Sequence, residues 1–110
     1  VLTFAGVVRL KALVNATMVG FIAGDVRREE GVGWITTLGV LPEYRRRGIG
    51  TALLHACEAQ MPVERVRLSV RRSNDEAIAL YLRQGYHHNG IWPAYYLDGE
   101  DALVLEKWLR

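Results

Sequence analysis

Residues 34–70 limit the fold more than any other stretch, because the hydrophobic rhythm changes twice within them. Residues 34–40 (WITTLGV) are rich in aromatic and β-branched side chains and read as a strand. Residues 48–60 follow a helical period. Ile49, Leu53 and Cys57 fall on one stripe with Ala52 and Ala56 beside it, while Thr51, His55 and Glu58 lie away from it. Pro62 closes that element. In residues 65–70 (RVRLSV), Val66, Leu68 and Val70 share one face, and Arg65, Arg67 and Ser69 the other. A strand, a helix and a second strand in this order predict parallel pairing through a right-handed crossover.

The flanking segments extend the sheet. Residues 7–14 and 18–26 have strand composition and are separated by the turn material Asn15-Ala16-Thr17, which predicts a hairpin. Residues 27–33 are charged and end Gly-Val-Gly, a second turn, so three antiparallel strands precede the first helix. Ser73 with Glu76 three residues later has the form of a capping box, and Gly85 is a left-handed stop after Gln84. Residues 86–92 and 102–109 are strand-like, with Pro93 and an Asp98-Gly99 turn signal between them. The predicted order is β-β-β-α-β-α-β-β, a mixed α/β sheet in one domain spanning 1–110.

Composition excludes several classes. The 110 residues are 50% hydrophobic and 24% charged, which places the chain with globular rather than disordered proteins. A net charge of +2 is too mild to argue for nucleic acid. Strongly salt-dependent binding through Arg45–Arg47 and the arginines of 65–72 would be that reading's mark. The lone Cys57 excludes an intrachain disulfide and a multi-cysteine metal site, and no His or Cys pattern calls for a metal. No run approaches the roughly 18–20 apolar residues of a membrane span, and no signal peptide is visible, so the default location is cytoplasmic. The chain begins at Val1 rather than Met, which leaves room for an upstream segment.

Residues 38–51 carry the strongest functional signal: an apolar strand end, a Pro-marked turn, Arg45, Arg46 and Arg47, then Gly48 and Gly50 opening a helix. Amides at a helix start have no intrahelical partner, and the dipole adds positive potential there. Glycines allow close approach of a bulky anion, so this segment is built as a seat for phosphate.

These residues resemble the GNAT superfamily of acetyl-CoA-dependent N-acetyltransferases. Arg45-Arg46-Arg47-Gly48-Ile49-Gly50 matches its central signature, preceded by Leu38-Gly39-Val40-Leu41-Pro42. A second motif follows at the family's spacing: Asn74, Ala77, Tyr81, Gly85 and Tyr86. Tyr95-Tyr96-Leu97-Asp98-Gly99-Glu100-Asp101-Ala102 and the run at 69–74 resemble the RimI-like branch, which acetylates protein N-termini. The resemblance implies acetyl-CoA as acetyl donor and transfer to an amine in a ternary complex. The backbone of Leu38, Gly39 and Val40 would bond the pantetheine arm. The amides of Arg46, Arg47, Gly48, Ile49, Gly50 and Thr51 would surround the pyrophosphate, with Arg45 and its neighbours as outer attraction.

The resemblance further implies that Asn74 contacts the cofactor and that Tyr81 is the general acid protonating the coenzyme A sulfur. Trp34, Tyr95 and Tyr96 would hold the acceptor, a protein or peptide N-terminus or a small amine, and Asp98, Glu100 and Asp101 would attract it. The pattern departs at the base: relatives place Glu where this chain has Ser69, a hydroxyl that can order a water but not take a proton from an ammonium. His87, His88 and Glu100 are the other titratable groups near the substrate edge. The family's N-terminal strand and helices are short or absent here, and the sheet surface this exposes favours a homodimer. A small-amine acetyltransferase and a non-catalytic acyl-CoA-binding module remain open alternatives.

Overall fold

The computed structural model describes residues 6–109. Its elements follow the predicted order: strands β1 (Val7–Val14), β2 (Thr17–Arg27) and β3 (Val32–Val40), helix α1 (Ile49–Gln60), strand β4 (Arg65–Arg71), helix α2 (Asp75–Arg83), and strands β5 (His87–Trp92) and β6 (Ala102–Trp108). They form one mixed sheet in the order β1-β2-β3-β4-β6-β5. Asn15 and Ala16, both at positive φ (49° and 67°), make the two-residue turn that matches the twist of β1 and β2. The crossover through α1 brings β3 and β4 together in parallel, whereas every other pair is antiparallel.

Two features of β3 position the site. Ala23 stands opposite Thr37 and Gly24 opposite Ile35, so Thr36 is an extra residue on β3, and its Oγ1 donates to the Ala23 carbonyl. This bulge moves the inward parity of the strand from Gly33 and Ile35 to Leu38 and Val40. Pairing with β4 then stops: only residues 32–35 and 65–68 are in register, and the two strands separate beyond them.

The core lies between the sheet and α1. Leu53, Leu54 and Cys57 of the helix, with Met61 just beyond it, meet Ile22, Ile35, Val66, Leu68 and Leu105. Glu58 corrects the expected helix stripe: it is buried, not turned away. Its carboxylate accepts from the Tyr86 hydroxyl at 2.7 Å and from Lys107 Nζ at 3.0 Å. Ala52, Ala56 and His55 are exposed. Burial of Cys57, assisted by the neighbouring Glu58 carboxylate, pushes its thiol up to about 11, so it packs rather than reacts.

Met61 fits over two glycines of the sheet. A Cβ added at Gly24 would overlap the Met61 methyl and stand 2.9 Å from the Trp34 carbonyl oxygen, which is backbone and cannot swing aside. Gly24→Ala therefore destabilises the domain by about 1–3 kcal/mol through overpacking. Thermal melting should show a Tm lower by at least roughly 4 °C; an unchanged Tm would contradict this packing.

Candidate functional site

The separation of β3 and β4 leaves the β4-facing edge of residues 36–40 without a strand partner among the described residues. Backbone donors and acceptors on such an edge can pair with an extended ligand. Gly39 lies on this stretch, and a Cβ there would meet nothing within 4 Å.

The loop that follows delivers the start of α1 to the same place. Pro42 initiates a single 3-10 turn, and Arg45 Nε donates to the Val40 carbonyl at 3.1 Å, tying the loop to the end of β3. Arg46 adopts a left-handed backbone (φ 62°), as does Gly48 (φ 81°) at the helix cap. No side chain caps α1 among the described residues. Its first backbone bond runs from Ala52 N–H to the Gly48 carbonyl, so the amides of Ile49, Gly50 and Thr51 lack an intrahelical acceptor. With the dipole they form a positive cradle for an anion, and a Cβ at Gly48 would meet open space within 4 Å.

A cleft of about 670 Å³ lies where these parts meet α2. Leu38, Gly39 and Val40 line it from β3, and Arg45, Arg46, Gly48, Gly50 and Thr51 from the loop and helix start. Asn74 and Tyr81 line it from α2. Arg47 and Ile49 are not among its walls: the Arg47 guanidinium lies over the Tyr44 ring at 5.1 Å, and Ile49 packs against the core. Tyr44, Glu76, Leu80 and Arg83 line the cleft without having been expected as ligand contacts. For the last three the signal was helical spacing: residues 76, 80 and 83 stand four and three apart and so recur on one side of α2.

Asn74, not Ser73, caps α2: its side-chain oxygen accepts from Ala77 N–H at 3.2 Å. Ser73 instead gives its backbone N–H to Glu100 at 2.8 Å. Arg46 approaches Glu76 at 3.9 Å, an exposed pair of little energetic weight.

Tyr81 is 8% exposed and packs edge-on against Tyr86, with ring centroids 5.8 Å apart. Its hydroxyl makes no hydrogen bond among the described residues, yet it is not sealed from solvent, since no buried side-chain polar atom there lacks a partner. Burial pushes the phenol up to about 12, so it carries its proton throughout the neutral range. A raised pKa in the fold means stability that is complete below the unfolded value and lost as pH climbs through the folded one. Cys57, rising from 9.0 to about 11, and Tyr81, from 10.0 to about 12, act in the same direction. Tm should hold steady to about pH 9 and then fall progressively toward pH 12; a flat melting profile over that window would refute the assignment.

The sheet face opposite α1 gathers the residues expected to hold an acceptor. Trp34 stacks on Trp92 (5.8 Å), Trp92 meets Tyr95 (5.0 Å), and Tyr95 meets Tyr96 edge-on (5.1 Å). The Arg71 guanidinium sits 4.0 Å from the Tyr96 ring centroid. Ser69 is on this face by strand alternation with Arg67 and Arg71, and is the first β4 residue beyond the paired register with β3. It borders the gap and does not line the cleft.

The acidic loop is committed to its own structure. Arg71 bonds Asp98 and Glu100 at 2.9 Å each, Asp98 accepts from Glu100 N–H, and Asp101 accepts from Ala94 N–H and Arg72. The bond from Ser73, followed by Arg71, holds the Glu100 carboxyl below its usual range; the bond from Glu100 N–H, followed by Arg71, does so for Asp98. Neither is a strong base. His87 and His88 are exposed on β5, and their side chains form no hydrogen bond among the described residues.

The model of the acetyltransferase (GNAT) family matches residues 4–86. The catalytic subunit NAA10 of the N-terminal acetyltransferase A complex of Arabidopsis thaliana is 40% identical over 103 residues, covering 87% of this chain and 54% of its own length. An N-alpha-acetyltransferase of Sulfurisphaera tokodaii is 44% identical over 77 residues, covering 66% and 46%. The chain thus spans about half the length of the curated relatives it matches. Among solved structures, the ribosomal-protein-S18-alanine N-acetyltransferase of Escherichia coli superimposes with a TM-score of 0.83 at 30% identity, covering 94% of this chain and 69% of that one.

Proposed function

The chain belongs to the acetyltransferase (GNAT) family, and from that premise we propose that it transfers acetyl from acetyl-CoA to the α-amine of a protein or peptide N-terminus. The observation that carries this reading is a convergence in one cleft: free amides at the start of α1, an unpaired edge of β3, and the hydroxyl of Tyr81. Each suits one part of the donor. The α1 amides with Arg45 and Arg46 would hold its diphosphate, and residues 38–40 would bond its amide-bearing arm. The open space before Gly39 and Gly48, where side chains would otherwise stand, fits a ligand that runs close along backbone.

Acetyl-CoA supplies an activated thioester; the chain supplies orientation and a proton. Tyr81 keeps its phenol protonated and can give that proton to the departing sulfur. Ser69, beside the gap, can order a water, but its hydroxyl is not a base. The acceptor amine therefore has to arrive neutral, which suits an α-amine with a pKa of about 7.7–8.0 better than a lysine side chain near 10.4.

The N-terminal acceptor is supported by the aromatic group on the far face and by the named activities of the relatives. Arg71 holds this group in place by bridging Asp98 and Glu100 while covering Tyr96. Arg71→Ala should raise the peptide KM by about tenfold, the loss of roughly 1.4 kcal/mol, and leave the acetyl-CoA KM unchanged. Steady-state kinetics with each substrate varied in turn will check this; a matching rise in both constants would mean that Arg71 does not act on the acceptor side alone.

The function is tested by incubating the protein with acetyl-CoA and a mixture of short peptides and free amines, then reading products by mass. Acetylated peptide N-termini are expected. Acetylation of the free amines alone would reassign the acceptor, and tight acetyl-CoA binding with no product would leave an acyl-CoA-binding module.

A further inference from the structure

We propose that Tyr86, anchored by the buried Glu58 carboxylate, is the positioning residue that fixes where the Tyr81 hydroxyl stands in the cleft. The inference deepens the proposed acetyl transfer and rests on Tyr81 serving as its acid. The Tyr81 hydroxyl has no hydrogen bond among the described residues, so ring packing and backbone must set its position. Tyr86 supplies both. Its ring meets that of Tyr81 edge-on, with centroids 5.8 Å apart and planes at 63°, and its N–H donates to the Tyr81 carbonyl at 3.0 Å. Edge-to-face pairs have a preferred geometry, so a fixed partner ring restricts the tilt of its neighbour.

Tyr86 itself is held at its hydroxyl and over its ring. It is 3% exposed, its hydroxyl donates to Glu58 Oε2 at 2.7 Å, and Lys107 lies 5.7 Å from its ring centroid while donating to Glu58 Oε1 at 3.0 Å. A carboxylate 7% exposed is costly to bury, and both of its oxygens are engaged. Glu58 stands on α1, whose start forms the anion cradle, and Tyr86 follows α2, which carries Tyr81. The bond between them therefore ties the element that would seat the donor to the element that carries the acid. A general acid must stand within hydrogen-bond reach of its target, so small displacements of its hydroxyl are felt in rate.

The test compares Tyr86→Phe, Glu58→Gln, Tyr81→Phe and the double variant Tyr81→Phe/Tyr86→Phe in the whole chain. Tyr86→Phe and Glu58→Gln should each lower kcat by about 5–20-fold, with the acetyl-CoA KM within about twofold of the parent. In the Tyr81→Phe background the loss from Tyr86→Phe should vanish, because there is no hydroxyl left to place. An equal loss in both backgrounds, or no loss in either, overturns the proposal.

A readout independent of turnover is the NMR signal of a 13C-labelled Tyr81 ring. Its shift or flip rate should change in Glu58→Gln, although the hydrogen bonds of Glu58 go to Tyr86 and Lys107. An unmoved signal overturns the positioning role even if the parent chain proves inactive, whereas a moved signal in an inactive chain sinks only the reaction assignment. Thermal melting of each variant separates repositioning from loss of fold.

Discussion

Tyr81→Phe should reduce kcat by about 100-fold while acetyl-CoA affinity stays within about twofold of the parent value. The substitution removes one oxygen. The ring that remains keeps its edge-on contact with Tyr86 and its place in the core, so folding and the walls of the cleft are retained. What disappears is a proton donor that burial keeps neutral up to about pH 12. Acid catalysis by a placed side chain contributes roughly 10²–10⁴-fold, and water entering the cleft can recover part of the loss. Since the phenol does not titrate near neutrality, the parent's rate should rise with pH as the acceptor amine loses its proton, with no falling limb from Tyr81. Steady-state kinetics alongside calorimetric titration of acetyl-CoA will decide. An unchanged kcat would remove Tyr81 from the chemistry.

Gly48→Val should weaken acetyl-CoA binding by at least about 30-fold, an effect built from two separate costs. The residue sits at φ 81°, where an L side chain costs about 1–2 kcal/mol and a β-branched one is a strong outlier. Its methyl groups would also enter the open space in front of the free amides of α1. Relaxing the strain would rotate the cap and misdirect those amides, so both responses harm the cradle. Gly50→Ala offers the contrast. A Cβ there would lie 3.6 Å from Leu80 and 3.8 Å from Val40, which is ordinary contact, and the position has no positive φ. It should leave both melting temperature and acetyl-CoA affinity nearly intact. Should both variants bind acetyl-CoA as the parent does, the anion lies elsewhere.

The element order was readable because each segment announces itself locally. The alternation at 65–70 and the helical period at 48–60 need no knowledge of partners, and β1 occupies Val7–Val14, the bounds its composition suggests. The parallel union of β3 and β4 follows from chain connectivity alone. Features that depend on partners were harder to see. Glu58 looks like a surface residue until Tyr86 and Lys107, far along the chain, are brought to it. Leu54 and Met61, which widen the buried stripe toward Glu58, were the available hint. The acidic residues of the β5–β6 loop read as a lure for an amine, yet Arg71, Arg72 and nearby amides consume them. Ser73 and Asn74 are both good caps, and only the geometry of the α2 entry chooses Asn74. The separation of β3 from β4 had no plain mark in the sequence: Val32, Trp34 and Ile35 are apolar at both parities, and the change of parity at Thr36 shows only once β2 is laid beside β3.

That change of parity has an evolutionary consequence. At Thr36 the count of residues matters more than the kind. A point substitution there trims one hydroxyl contact to Ala23, whereas deleting the residue would reverse every later side chain of the strand. Leu38 and Val40 would swing to the far surface and the mouth of the cleft would be rebuilt. Lineages descending from this chain can thus vary the letter at that site freely, but a single-codon loss there should be purged.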